Sequence, residues 1–292
     1  MIPRDRIPYS AIVDRPRLRL PGEARVIVWP VVNVEVWEIA RPMARQVLPA
    51  PTGVGVVPDV PNWAWHEYGM RVGFWRLKAA LDRFGIVPTL SINGKVCTTY
   101  PRVAGAARDS GWEFMGHGFV QQPTHQVEDE RAMIERTLET IEAFTKTRPV
   151  GWLGPGLTET LATADHLAEA GIRYVGDWVL DDQPCLLRTA HGDLVAMPYS
   201  LELNDIAVVA IQHHEGRVLL DRVRDAFERL HAEGEHGARV MCVAFHPYLS
   251  GVPHRIRVFE QVLEYLAGRD GVLFWTGKQI LEWYRSETTQ QG

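Results

Sequence analysis

The chain has 292 residues, of which 46% are hydrophobic and 23% are charged, and its formal net charge is -5. This composition matches a soluble globular protein rather than a collagenous, low-complexity or disulfide-scaffold class. No basic stripe accompanies the slightly acidic balance, so the clustered lysines and arginines of a nucleic-acid footprint are missing. Nucleic acid is therefore not an expected partner.

Strand-like and helix-like segments alternate along the chain. In chain order the pattern predicts strand 24–36, helix 66–83, strand 86–92, helix 96–108, strand 112–116, helix 128–147, strand 150–153 and helix 159–170. It continues with strand 172–177, a loop to residue 188, strands 194–199 and 206–211, helix 217–231, strand 238–245, helix 254–266, strand 272–275 and helix 278–285. Seven or eight such units predict an α/β fold with parallel strands and outer helices. At this length we expect a closed or nearly closed barrel.

Two irregular regions interrupt the alternation. An arm rich in arginine and proline spans residues 1–23, and an insertion over residues 42–63 holds Pro49, Pro51, Pro58 and Pro61. Neither has the composition of a linker, so residues 1–292 are predicted to form one domain with an irregular N-terminal arm. The insertion follows the carboxyl end of the first strand, where barrel active sites form. Loops of this length are usually functional or disordered.

Cysteine usage and hydropathy bear on location. Cys97, Cys185 and Cys242 are an odd number at wide spacings, which suits reduced thiols better than a disulfide framework. No apolar run approaches the ~18 residues needed to span a bilayer, and the first residues lack the apolar stretch of a secretory signal. The sequence therefore predicts a cytoplasmic protein without a membrane partner.

Polar side chains occur at successive predicted strand ends. Glu35 lies at the end of the first strand, His117 follows the third between two glycines, Asp177 ends the fifth, and His246 follows the penultimate strand. A barrel gathers these ends at one face, so the four side chains are expected to line one cavity. Singly, each has a simpler explanation, such as a surface carboxylate, a turn residue or a core histidine. Phosphate-loop, dinucleotide, nucleophile-elbow and zincin motifs are missing from the sequence.

The order and spacing of these segments resemble the polysaccharide deacetylase superfamily, whose NodB-like domain is a distorted (β/α) barrel of about seven parallel strands. The resemblance covers nearly the whole chain after residue 24. It is nearest the allantoinase-like branch in the segments EYGMRVGFWR (67–76), GPGLTET (154–160), GDW (176–178) with DDQP (181–184), and PY (198–199) with ND (204–205). It implies a hydrolase of carbon–nitrogen bonds other than peptide bonds, acting on an amide, a cyclic ureide or an N-acetyl group.

Two metal-ligand positions of the family are changed in this chain. In typical metal-dependent members an aspartate base and an aspartate ligand end the first strand, and two histidine ligands follow the third. Here Glu35 matches the base but Val36 stands at the ligand position, and His117 is followed by Gln121 where the second histidine belongs. A valine cannot ligate and an amide is a poor zinc ligand, so no cofactor is expected. The alternative is a divalent metal such as zinc, bound by Glu35, His117 and His125.

The resemblance gives His246 the role of general acid, and Leu153 stands where many members carry an arginine. Metal-free hydrolysis needs a base for water, an acid for the leaving nitrogen and donors for the oxyanion. We assign Glu35 as base and His246 as acid. Candidate oxyanion donors are His117, Arg71 and nearby backbone amides. Glu35, His117 and His246 are therefore the predicted catalytic residues.

Residues near the predicted mouth are candidates for binding a small-molecule or sugar-amide substrate. Aromatic rings there favour a compact pocket, since they stack on planar heterocycles or sugar faces. The predicted substrate-binding residues are Tyr68, Arg71, Trp152, Asp177 and Trp178. Two alternatives remain open, a metal-dependent polysaccharide or amino-sugar N-deacetylase and a catalytically degenerate barrel that binds a ligand. The resemblance also implies a homo-oligomer.

Overall fold

The computed structural model describes residues 3–50 and 53–290, and its elements follow the predicted alternation of strands and helices. Its strands are β1 (Val26–Val34), β2 (Thr89–Ile92), β3 (Glu113–Gly116), β4 (Gly151–Trp152), β5 (Tyr174–Val175), β6 (Cys185–Leu187), β7 (Leu194–Ala196), β8 (Arg239–Phe245) and β9 (Val272–Phe274). Its helices are α1 (Pro3–Arg6), α2 (Val60–Tyr68), α3 (Phe74–Phe84), α4 (Val96–Thr99), α5 (Pro101–Asp109), α6 (Glu130–Thr145), α7 (Thr163–Glu169), α8 (Arg217–Glu233), α9 (Pro247–Ser250), α10 (Ile256–Ala267) and α11 (Gly277–Gln290). Within the described ranges, no helix combines the length and apolarity needed to cross a bilayer.

The strands form one nine-stranded sheet in the order β6-β7-β5-β4-β3-β2-β1-β8, with β9 also pairing with β1. Each pairing is parallel except that of β6 with β7. Strand β1 pairs with β8 along one edge, and along the other with β9 at residues 26–28 and with β2 from Val31 onward. Pro30 falls between the last two pairings. Proline has no N–H to donate to a ladder, and it is tolerated at this position because neither β9 nor β2 pairs with β1 there.

The sheet curls into a distorted barrel that is nearly closed. Its end strands β6 and β8 do not pair with each other, and irregular segments fill the gap. In that gap β8 residues Val240 and Ala244 donate their N–H groups to the carbonyl oxygens of Asp182 (2.9 Å) and Leu203 (3.1 Å). The predicted α/β class with a distorted, mostly parallel barrel is confirmed.

Three segments differ from the sequence prediction. The predicted strand 206–211 is wrong, because Ile206–Ile211 forms a π-helical turn, and a short apolar run does not distinguish a strand from a helical turn. Strand β6 lies in the predicted loop and is partly exposed at the sheet edge, where no clear alternation marks it. The predicted helix 96–108 is divided into α4 and α5, because Pro101 disfavours helical backbone at Tyr100.

A continuous helical segment leads from the insertion to the barrel mouth. Helix α2 begins earlier than predicted, inside the insertion, and joins α3 through a π-helical turn at Gly69–Gly73. A Cβ atom at Gly69 would lie 2.6 Å from the backbone nitrogen of Tyr248, and one at Gly73 would lie 2.0 Å from the carbonyl oxygen of Pro247. Glycine therefore allows α9 to pack against this turn, which fixes the residues that follow β8.

Alternate residues of β1 face opposite sides of the sheet. Val28 and Val32 pack into the core beneath the outer helices. This core also contains Phe259 of α10. Trp29 faces the barrel interior and packs into the inner core. The same alternation places Asn33 on the inner side, where it lines a cavity at the barrel mouth.

A buried arginine joins the N-terminal arm to the barrel. Arg6 is 2% exposed, and its guanidinium donates to both carboxylate oxygens of Asp165, at 3.0 and 2.6 Å. It also donates to the carbonyl oxygens of Leu161 (2.9 Å) and Arg188 (3.0 Å). Because a buried cation is stable only when it is paired, these contacts hold the arm in place.

We expect Arg6→Ala to lower the free energy of unfolding by about 2 kcal/mol, since it leaves two carbonyl groups without their donor and leaves Asp165 with only the N–H of Ala190. Urea unfolding followed by circular dichroism measures this change. The matched control is Arg4→Ala, at an exposed position on the same helix, which should change the free energy by less than about 0.5 kcal/mol. Equal unfolding midpoints for the two variants would contradict the anchoring role of Arg6.

Candidate active site

The carboxyl ends of β1, β3 and β8 meet at a cavity of about 350 Å³. Glu35 follows β1, His117 follows β3, and His246 follows β8. The three side chains line the cavity, and each residue is at most 6% exposed. The structure thus brings together the three residues predicted to be catalytic.

One carboxylate oxygen faces two imidazole rings. Oε1 of Glu35 lies 3.6 Å from Nε2 of His117 and 3.6 Å from Nε2 of His246. Oε2 accepts hydrogen bonds from Nε1 of Trp37 (2.9 Å) and from the hydroxyl of Tyr248 (3.4 Å). Since Oε2 is already bound by two donors, Oε1 is the oxygen that remains available for a proton or a water molecule.

The partner behind each imidazole sets its tautomer. Nδ1 of His117 lies 2.6 Å from the carbonyl oxygen of Leu153, and Nδ1 of His246 lies 2.7 Å from Oδ1 of Asp205. Both partners only accept, so Nδ1 carries a proton in each ring and Nε2 is directed at Glu35. Asp205 is fixed in turn by the N–H of His246 (2.8 Å) and the hydroxyl of Ser250 (2.6 Å).

These contacts shift the pKa values of Glu35 and His246 in opposite directions. Burial alone would raise the pKa of Glu35, but interaction with His117 and the charge of His246 outweigh burial and lower the pKa to about 2. Burial alone would lower the pKa of His246, but the charge and hydrogen bond of Asp205, with the charge of Glu35, raise it above the ordinary value. The site therefore favours an ionised Glu35 beside a protonated His246.

An aromatic cluster supports one side of this site. The ring of His66 stacks on Tyr248 with centroids 4.4 Å apart and meets Trp37 edge-on at 4.1 Å. Neither ring nitrogen of His66 has a hydrogen-bond partner, and burial lowers its pKa to about 4. His66 therefore packs as a neutral aromatic ring that fixes two donors of Glu35. The sequence analysis missed this role because His66 lies within a helical pattern.

Two further polar residues line the cavity and were not predicted. Nδ2 of Asn33 donates to the hydroxyl of Tyr199 (3.3 Å) and to the carbonyl oxygen of Phe245 (3.5 Å). Its Oδ1 is buried without a hydrogen-bond partner. Arg45, from the insertion, also lines the cavity. The spacing of Asn33 two residues before Glu35 is the one sequence signal that could have identified it, since such residues share a face of a strand.

The predicted substrate-binding residues do not line this cavity. Trp152 is fully buried in the core, and Arg71 is exposed on the π-helical turn. Tyr68 and Trp178 are half-buried outside the lining. Asp177 does not line the cavity with the other strand-end residues as expected, because its carboxyl group instead accepts a hydrogen bond from the N–H of Gly154. A binding role for these five residues stays a prediction, and any such role requires contacts beyond the cavity wall.

The side chains at the family's metal-ligand positions do not form a zinc site. Val36 packs in the apolar core, and the amide oxygen of Gln121 accepts a hydrogen bond from Asn93 at 3.2 Å. His125 is exposed on a 3₁₀ turn and does not line the cavity. Within the described ranges, no group of three or more His, Cys, Asp or Glu residues is arranged to hold a metal. The donor set therefore does not fit the metal-dependent alternative.

Comparisons with known proteins identify relatives of the whole barrel. No family model matches the chain. A putative polysaccharide deacetylase of Schizosaccharomyces pombe is 27% identical over 237 residues, which cover 74% of this chain and 73% of that protein. The crystal structure of a probable polysaccharide deacetylase from Pseudomonas aeruginosa is 25% identical with a TM-score of 0.83, covering 94% of this chain and 95% of the other.

The fold is also shared with an allantoinase. The crystal structure of PuuE allantoinase superposes with a TM-score of 0.88 at 24% identity, covering 98% of each chain. The predicted enzyme class, a hydrolase of carbon–nitrogen bonds other than peptide bonds, agrees with these relatives. The chain is thus similar in sequence to polysaccharide deacetylases and shares the barrel of their solved structures.

Proposed function

We propose that this protein hydrolyses the carbon–nitrogen bond of a small amide or cyclic ureide without a bound metal. The observation that carries the proposal is the buried Glu35 carboxylate, whose Oε1 lies 3.6 Å from Nε2 of both His117 and His246. Relatives named as a polysaccharide deacetylase and an allantoinase support the bond class. The oligomeric state and cytoplasmic location stay predictions from the sequence.

Glu35 acts as the base that takes a proton from the attacking water. Its low pKa makes it a weak base as long as positive charge lies beside it. When His246 gives its proton to the leaving nitrogen, one of those charges is lost and Glu35 becomes more basic. Proton uptake by Glu35 and proton donation by His246 are therefore coupled in one step.

His246 acts as the acid, and His117 acts as the oxyanion donor. Asp205 holds the His246 ring and favours its protonated form, as a general acid requires. Nδ1–H of His117 is already bound to the carbonyl oxygen of Leu153. His117 can therefore donate from Nε2 to the developing oxyanion only when its ring carries both protons.

The cavity favours a compact substrate that carries an N–H group. Its volume of about 350 Å³ lies near the lower end of small-molecule pockets. A buried acceptor without a donor is costly, and Oδ1 of Asn33 is such an acceptor in the cavity wall. An amide or ureide N–H satisfies it. Arg45 at the same cavity offers a cation to the carboxylate that hydrolysis releases.

A substrate panel tests the proposal. The purified protein is incubated with cyclic ureides, cyclic imides and N-acetylated amino sugars, and products are quantified by mass spectrometry. We expect turnover of a cyclic member, with Glu35→Gln and His246→Ala each lowering turnover roughly 10²- to 10⁴-fold while circular dichroism stays unchanged. Turnover of no panel member would favour a ligand-binding barrel, and Glu35→Gln at wild-type turnover would refute the assigned base.

The partner of His246 should control the alkaline side of the pH profile. His246 must be protonated to act as the acid, so turnover should fall as pH rises through its pKa. Because Asp205 raises that pKa, Asp205→Asn should move this fall to lower pH. At pH 8 we expect the variant to lose roughly ten- to a hundredfold in turnover. Ser250→Ala leaves the charge of Asp205 in place and should keep the wild-type profile. An unmoved alkaline limb in Asp205→Asn would remove His246 as the acid.

The donor set also predicts the metal content. With Val36 and Gln121 at two ligand positions, the purified protein should hold far less than one equivalent of zinc, cobalt or nickel by elemental analysis, and chelators should leave turnover unchanged. Stoichiometric metal that is lost together with activity on chelation would instead support the metal-dependent deacetylase.

A further inference from the structure

The cavity of the candidate active site changes character from its floor to its mouth. The three residues proposed for catalysis and Asn33 line the floor, and each is at most 6% exposed. Leu201 and Ile211 line the same cavity but are 45% and 50% exposed, so they lie nearer the solvent. With the half-buried residues between them they form an apolar outer wall, which comprises Leu157, Leu201, Ile206, Ala207 and Ile211.

Most of the outer wall belongs to the π-helical turn that follows Asp205. The N–H of Gln212 donates to the carbonyl oxygen of Ala207, five residues earlier, at 2.9 Å, which is the hydrogen bond of a π-helix. Val208 of this turn is fully buried in the core beneath the outer helices. The turn therefore has two apolar faces, one in the core and one in the cavity wall.

This turn is fixed to the proposed general acid. Asp205 binds Nδ1 of His246 at 2.7 Å, and Ile206 is the next residue in the chain. The N–H of Ile206 donates to Oδ1 of Asn204 at 3.0 Å, and Nδ2 of Asn204 donates to the hydroxyl of Tyr199 at 3.2 Å. The apolar wall is therefore held beside the group that protonates the leaving nitrogen.

Polar side chains elsewhere in the cavity lining are bonded within the protein. Nε2 of Gln122 donates to the carbonyl oxygen of Gln126 at 2.8 Å. The hydroxyl of Thr158 donates to the carbonyl oxygen of Pro155 and accepts from the N–H of Thr124, each at 2.8 Å. A substrate rich in hydroxyl groups would exchange water for few partners here, and burying a polar group without a partner is costly.

We propose that the substrate carries an apolar substituent, which packs against the outer wall while the reacting amide or ureide lies at the floor. Leu201 and Ile211 are thus specificity-determining residues. Apolar side chains gain free energy when a ligand removes them from water, and these two are the exposed aliphatic side chains of the wall. The inference rests on the proposed function for the position of the reacting bond.

Arg45 lines the same cavity and would select an anionic substituent if it faced that part of the substrate. A set of substituents of similar shape separates the two cases. The probes are hydantoin, a five-membered cyclic ureide, and its derivatives with an isobutyl, a carbamoylmethyl or a carboxymethyl group at the saturated ring carbon. These groups are apolar, polar without charge, and anionic.

We expect kcat/KM for the isobutyl ring to exceed that for the carbamoylmethyl ring roughly tenfold or more, as burial of a branched aliphatic group predicts. Equal values for these two rings, or a higher value for the carbamoylmethyl ring, would overturn the proposal. A preference for the carboxymethyl ring would also overturn it and would assign the substituent to Arg45.

Variants of the wall test the two residues directly. Ile211→Ser and Leu201→Ser should each lower the ratio of kcat/KM between the isobutyl and carbamoylmethyl rings roughly threefold or more. The matched control is Leu186→Ser, on β6 outside the cavity, where the side chain is 47% exposed. It should keep the ratio within about twofold. A general loss of activity lowers both values together, so an unchanged ratio in both wall variants contradicts the assignment.

Binding separates this inference from the proposed function. The same ligands are titrated calorimetrically into Glu35→Gln, or into His246→Ala if the first variant does not fold. We expect the isobutyl ring to bind with a Kd roughly tenfold or more below that of the carbamoylmethyl ring. If the wild type hydrolyses none of the rings, the proposed function fails while this order of binding still supports the apolar wall. Equal binding of the two rings, or binding of neither, overturns the inference.

Discussion

The site depends on keeping one carboxylate ionised inside the barrel. Desolvating the charge of Glu35 is unfavourable, and the structure offsets that cost with two imidazoles and two hydrogen-bond donors around it. Each imidazole is fixed from behind, one by a backbone carbonyl and the other by Asp205. The ionisation of Glu35 is therefore linked to that of His246, and altering either group changes the pKa of the other.

Strand register is what brings these groups together. Val34 pairs with Ile92, and Ile92 pairs with Gly116, so β1 and β3 end at the same level. Val32 pairs with Phe245 on the other edge of β1, so β8 ends close to the same level. A slip of one residue in any pairing would turn the following side chain to the opposite face. The geometry of the candidate site is therefore a direct consequence of parallel pairing around β1.

The strand ends could be predicted from the sequence, whereas contacts between distant segments could not. Glu35, His117 and His246 were found because each follows an apolar strand-like run. The contact of Asp205 with His246 spans 41 residues, and residues 206–211, just after Asp205, were wrongly assigned as a strand. Trp152 lies in a strand of two residues, too short for alternation to show which way its side chain points.

The proposed reaction depends on the charge balance of this donor set. A divalent metal ordinarily supplies positive charge that activates water and stabilises the oxyanion. In the proposed reaction, protonated imidazoles supply that charge, and they can also give up protons, which a metal ion cannot do. Since Glu35 gains basicity as His246 loses its proton, base and acid strengths adjust together during the step. The proposed reaction suits substrates whose leaving nitrogen must be protonated as the carbon–nitrogen bond breaks, and cyclic ureides are substrates of that kind.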